Sequence, residues 1–216
     1  MRSAITKSLM YVWFAAAMPI LLAGLVSKKT TLLAMKITSG GGLAIARVVG
    51  GVRYRVHGRA PSRGIVAAKH MSMMETGIMF HEIKNPFFVL KKELMMVPIY
   101  GWAFARSGMI PVDRKKADVE NMVRRASEEM EKGRVLIIFP EGTRVAPGDD
   151  AHFKGGVMRI AQAAKQPITP VGLDTGIYWP KKGPMAPGVA QVYFGKPLPW
   201  DASLEEIKKA IQERSV

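Results

Sequence analysis

Leu9 to Val26 runs eighteen residues without a charge or a strongly polar side chain. As a helix this stretch is about 27 Å long, just short of a hydrocarbon core about 30 Å thick. Pro19 in its middle removes a backbone donor and favours a kink. A second stretch, Thr30 to Val49, is apolar but carries Lys36, Arg47 and the triple glycine Gly40 to Gly42. It reads as too interrupted to span a bilayer and as suited to lying at its surface, with the basic side chains reaching outward. Beyond residue 52 short strand patterns alternate with helical ones. Strands are expected at Val52–His57, Ile65–Ala68, Phe87–Leu90, Val135–Phe139, Ile168–Leu173 and Val189–Phe194, with a weaker one at Met109–Val112 because of Pro111. Helices are expected from about Ser72, over Lys116–Glu131 (apolar at Val119, Met122, Val123, Ala126 and Met130), over Val157–Ala164 and over Leu204–Glu213. This alternation predicts an α/β layer structure, a mixed and mainly parallel sheet flanked by helices. The organisation expected is a two-helix membrane-embedded anchor over 1–51 and an α/β domain over 52–216.

Composition narrows the picture. A chain of 216 residues with 48% hydrophobic content can bury about 70% of its unfolded surface, enough for a full core. The absence of cysteine excludes a disulfide framework, a thiolate zinc site and a cysteine nucleophile. Charge is uneven. The first 74 residues hold eleven basic residues and no acid, whereas the remaining 142 hold 21 basic and 17 acidic residues. A basic front end points to an anionic partner, nucleic acid or a lipid surface. Nucleic acid would want aromatics among the basic residues on a polar surface; Tyr11, Trp13 and Phe14 lie inside the apolar run instead. The lipid surface is therefore the expected partner and nucleic acid is not. Basic residues on both flanks (Arg2 and Lys7, Lys28 and Lys29) give no orientation, and no small-x-small cleavage site follows Leu22.

The candidate chemistry lies at Lys69-His70-Met71-Ser72-Met73-Met74-Glu75-Thr76. A strand ends at about Lys69, and ligands of α/β sheets sit at the carboxyl ends of strands. With His70 in the turn and Glu75 in the first helical turn, the carboxylate can accept the Nδ1 proton and leave Nε2 as a general base. Ser72-x-x-Glu75 also fits a helix capping box, in which Glu75 serves only the backbone. About seventy residues on comes Phe139-Pro140-Glu141-Gly142-Thr143-Arg144, a strand end and turn in which glycine permits close backbone approach and arginine offers a forked donor to phosphate.

His70 and Glu75 followed by FPEGTR resemble the glycerolipid acyltransferase family, specifically the 1-acylglycerol-3-phosphate (lysophosphatidic acid) acyltransferases. The family's first block pairs histidine with an acid five residues on, usually aspartate; here it is glutamate. Gly108-Met109-Ile110-Pro111-Val112-Asp113-Arg114 is similar to the second block, Pro167 to Gly172 to the fourth, and Val89-Leu90-Lys91-Lys92-Glu93-Leu94 to a segment whose first lysine helps hold phosphate. The resemblance covers about residues 60 to 175 in order. It implies acyl transfer from acyl-ACP or acyl-CoA to the sn-2 hydroxyl of lysophosphatidic acid, giving phosphatidic acid, with His70 as base and Glu75 fixing its tautomer. It implies Lys91, Arg114, Glu141, Gly142, Thr143 and Arg144 as substrate-binding residues, and Lys154 as a weaker phosphate candidate. The location implied is the cytoplasmic face of a bacterial-type inner membrane. No cofactor is expected beyond the donor, and no histidine or carboxylate group has metal-ligand spacing. Met71, Met73, Met74, Met95 and Met96 are candidates to line an acyl groove, while His57, His81 and His152 read as structural or exposed. The rivals are an enzyme for another lysolipid such as lyso-ornithine lipid, and a catalytically silent lipid-binding protein. A hydrolase would want a G-x-S-x-G elbow, which is absent.

Overall fold

The structure is a computed structural model that describes residues 1–113, 118–149 and 152–215. Three strands are buried along their whole length on both faces, and apolar but for Thr169: β2 (Gly64–Ala68), β5 (Val135–Ile138) and β6 (Ile168–Leu173). Such runs belong at the centre of a parallel sheet. With β1 (Val52–His57), β3 (Pro86–Lys91), β4 (Ile110–Val112) and β7 (Gly188–Phe194) they form one sheet in the order β1-β7-β6-β2-β5-β3-β4. All neighbours are parallel except β6 and β7, so the sheet is mixed and mainly parallel, as expected. Pro111 is tolerated because β4 is an edge strand. Pro170 lies inside β6, where its carbonyl accepts from Gly195, just past the end of β7.

Helices α4 (Met74–Glu82), α6 (Val119–Glu131), α7 (Gly156–Ala164) and α9 (Leu204–Gln212) match the helical patterns. Residues 116 and 117 of the expected α6 lie outside the described residues. Three short elements carried no readable period: a 3₁₀ turn at Lys92–Met96, α5 (Tyr100–Arg106) and α8 (Thr175–Tyr178). The crossovers return β2, β5 and β6 in parallel, so the loops after Ala68, Ile138 and Leu173 emerge side by side at one sheet edge.

The first apolar run is a bent helix, α1 (Arg2–Ala16) followed by α2 (Met18–Gly24), broken one residue before the helix that holds Pro19 in its first turn. One helical run, Arg2–Gly24, is long and apolar enough to cross a membrane, and only 22% of its most apolar window is buried. The second stretch is helical, as expected for an anchor of two helices, and is not among the helices apolar enough to cross a membrane in the described residues. It is a continuous 21-residue helix, α3 (Lys28–Val48), begun by a capping box at Ser27 and Thr30. Its glycines are docking points: a Cβ at Gly41 would collide with the Trp13 ring, and one at Gly42 would press on Phe14. Close approach is sealed by Trp13 Nε1 donating to the Thr38 carbonyl at 2.7 Å. Side-chain packing thus offsets the helix propensity lost at the glycines.

Candidate active site

His70 follows β2 directly, and Glu75 sits in the first turn of α4 with no solvent exposure. Glu75 Oε1 lies 2.8 Å from His70 Nδ1 and accepts the backbone N–H groups of Met71 (2.8 Å) and Ser72 (2.7 Å). Its other oxygen accepts the Thr175 hydroxyl at 2.7 Å. One carboxylate thus meets both the His70 ring and the backbone amides ahead of α4, while the reciprocal Ser72 half of a capping box is absent. The helix itself starts two residues later than expected, with Ser72 Oγ accepting from the Met74 amide. With both carboxylate oxygens taken up as acceptors, the proton of the shared contact belongs on His70 Nδ1, and Nε2 is left as the basic nitrogen. The imidazole plane is set by stacking on Phe139, centroids 4.2 Å apart.

The loop after β5 approaches from the other side. Glu141 is buried and its Oε2 accepts the His70 backbone N–H at 2.6 Å, while Oε1 has no partner. Burial pushes this carboxyl up to about 7, against the pull of the His70 amide and of Lys69. Glu141, expected as a substrate-binding residue, turns one oxygen to the backbone at His70. Gly142 adopts a positive φ of 67°, and a Cβ there would come within 3.3 Å of the Lys154 ammonium end. The chain then turns back, with the Val145 amide donating to the His70 carbonyl at 2.8 Å.

His70 lines a cavity of about 590 Å³ with predominantly apolar walls, within the usual range of about 300–1,000 Å³ for ligand pockets. Phe88, Phe139, Met74, Met109 and Met122 come from the α/β layer, while Phe14, Leu21 and Met35 come from the N-terminal helices. Of the methionines expected along a groove, Met73 and Met74 line it; Met71 is buried core, and Met95 and Met96 stand elsewhere. Lys91, Gly142 and Lys154 are on the wall, together with Arg159 of α7, which no motif had indicated. Thr143 and Arg144 are not, because the turn at Gly142 and the Val145–His70 bond carry them past it; the Arg144 carbonyl accepts from Lys181 at 3.2 Å. Arg114 lies outside the described residues. Thr175 was also missed: it stands one hundred residues from Glu75, and only the carboxyl end of the neighbouring strand β6 could have pointed to it. His57 is held by Gln191 at 2.7 Å and stacks on Tyr193, a structural role as expected.

A sequence model of the Acyltransferase family matches residues 53–174. A 1-acyl-sn-glycerol-3-phosphate acyltransferase of Pseudomonas aeruginosa is 36% identical over 157 residues, 70% of this chain and 61% of that protein. One of Helicobacter pylori is 33% identical over 118 residues, 52% of this chain and 49% of that protein. A lyso-ornithine lipid O-acyltransferase of Pseudomonas aeruginosa is 29% identical over 121 residues, 56% of this chain and 46% of that protein. The chain thus aligns with about half to three-fifths of the length of these relatives. The crystal structure of the 1-acyl-sn-glycerophosphate (LPA) acyltransferase PlsC from Thermotoga maritima has the same fold, with a TM-score of 0.73 at 22% identity over 99% of this chain and 94% of that one. A histidine and acid at the end of one central strand, the FPEGTR turn at the end of the next, and a matching family model over more than half the chain lead to one conclusion: the chain belongs to the acyltransferase family.

Proposed function

We propose that this chain transfers an acyl group from a thioester donor, acyl-ACP or acyl-CoA, to the sn-2 hydroxyl of lysophosphatidic acid at a membrane surface. The observation that carries the reading is His70, tied through Nδ1 to a fully buried Glu75 and lining an apolar cavity. Nε2 takes the hydroxyl proton as the oxygen attacks the thioester carbon. The carbon–sulfur bond then breaks, and the imidazolium returns its proton to the leaving thiolate. Base catalysis of this kind contributes about 10²–10⁴-fold, and Glu75 stabilises the imidazolium as it forms. The cavity accommodates an acyl chain. Lys91, Lys154 and Arg159 are assigned to the acceptor phosphate, with Arg144 just beyond them and Arg114 carried by the family resemblance alone.

The N-terminal helices place the site at the membrane by lying on it. Their ends are fastened to the body: Lys28 pairs with Glu129, Arg106 donates to the carbonyls of Leu25 and Val26, and Ser3 Oγ accepts from Met185. These fastenings support a hairpin that lies against the membrane with the domain, rather than one that crosses it. Tyr11, Val12, Leu33 and Ile37 meanwhile present apolar surface outward, as an interfacial helix requires. The face is proposed to be the cytoplasmic one of a bacterial-type inner membrane. Similarity to the lyso-ornithine lipid enzyme supplies the second reading, a different acceptor for the same base. The test is a vesicle-reconstituted assay with labelled acyl-ACP and acyl-CoA and each lysolipid. Labelled phosphatidic acid is expected; acylated ornithine lipid without phosphatidic acid would favour the second reading, and no acyl product from either would overturn both.

A further inference from the structure

A second, separate cavity of about 200 Å³ lies between α3 and the turn that joins α4 to β3. Three lysines edge it, Lys29 and Lys36 from α3 and Lys84 from the turn, over an apolar floor that includes Phe80, Ile83 and Pro86. No acidic residue lines it. Its cations are not committed elsewhere to acids: among the described residues Lys29 and Lys84 make no ion pair, and Lys36 donates to the His81 carbonyl at 3.1 Å. The contrast with Lys28 is direct, since that neighbour is taken up by Glu129. The nearby acid Glu82 is engaged by the Tyr54 hydroxyl.

We infer that this cavity is a binding site for the phosphate of an anionic membrane phospholipid, distinct from the catalytic cavity. A phosphate fits a cavity of this size, whereas a whole lipid does not. Leu33, Lys36 and Ile37 follow Lys29 by four, seven and eight residues along α3 and share a face with it. Leu33 and Ile37 are exposed on that face, so cations and apolar side chains alternate as headgroup and acyl chain would demand. Phe80 lines both cavities, so a lipid held here sits one ring away from the acyl cavity and fixes the tilt of the enzyme on its membrane. The inference rests on the membrane reading above.

The test compares binding of the full chain to phosphatidylcholine vesicles with and without phosphatidylglycerol, in three forms: wild type, Lys29→Gln/Lys36→Gln/Lys84→Gln, and Lys165→Gln/Lys196→Gln/Lys209→Gln as a control of equal charge change. Preference for the anionic vesicles should fall about 10- to 100-fold in the first triple variant and stay near wild type in the control. Acyl transfer in detergent micelles and melting temperature show that the variants are folded. Equal losses in both triple variants would mean net charge, not a site, and would overturn the inference. Inorganic phosphate at matched ionic strength should weaken wild-type binding to anionic vesicles and leave the first triple variant unchanged; phosphate binding lost in that variant while its vesicle preference stays at the wild-type level would assign the site to free phosphate and overturn the inference. Wild type binding neutral and anionic vesicles alike ends this inference but spares the membrane reading; wild type binding neither ends both.

Discussion

Two glutamates are buried against His70, one on each side, and they are held in opposite ways. Glu75, on the α4 side, is met by four donors, three at one oxygen and one at the other. Glu141, on the β5 side, receives one hydrogen bond and keeps an oxygen without a partner. Burial pushes Glu141 up to about 7, within reach of physiological titration. A carboxylate whose acceptor sites are filled suits the holding of a reactive imidazole; a half-satisfied one carries a desolvation cost and steadies only the backbone. Glu129 gives a third case. Burial by itself would raise it, but hydrogen bonds from Lys132, Lys28 and Arg134 outweigh that and hold it at about 2.

The comparison can be broken most severely at Glu75. Glu75→Gln should lower kcat about 10²–10⁴-fold with KM for lysophosphatidic acid little changed, because the amide places a donor where donors already converge; steady-state kinetics check it. Glu129→Gln should leave buried Arg134 without its ion partner and cost about 3 kcal/mol of stability at pH 7. A carboxylate held low stabilises above its ordinary pKa of about 4.5 and loses that contribution as pH falls toward 2, so the gap between wild type and variant should close on acidification in melting experiments.

Glu141 runs the other way. Its folded pKa is raised, so its contribution is fully present below about 4.5 and lost as pH rises through about 7. The unfolding free energy of wild type should decline over that window relative to Glu141→Gln, by up to about 3 kcal/mol, as followed by denaturation at each pH, and a parallel pair of curves would remove Glu141 from the comparison. The smallest effect is expected at Thr175. Thr175→Val should reduce kcat about tenfold by removing one hydrogen bond to the carboxylate, with Thr175→Ser restoring it.

Much of this arrangement was legible in the residues. β2, β5 and β6 announce themselves as apolar runs because both of their faces are buried, and the residue bounds of β6 were read correctly in spite of Pro170. α5 and α8, at seven and four residues, are too short to show a period. The triple glycine gave no hint of its role, because glycine lowers helix propensity and only packing against Trp13 and Phe14 explains it as contact. His70 and Glu75 were readable because they share one turn. Thr175 and Arg159 were not, since their nearness to the site depends on which strands and helices lie side by side. Glu141 was placed at the site by its motif, but its contact with the His70 backbone depends on β2 and β5 lying side by side.

The central claim is that His70 Nε2 removes the acceptor proton. The most direct measurement is the rate of phosphatidic acid formation by His70→Ala in vesicles at saturating lysophosphatidic acid and acyl donor, beside wild type of equal melting temperature. A fall of about 10²–10⁴-fold is predicted; a rate within a few-fold of wild type would contradict the account.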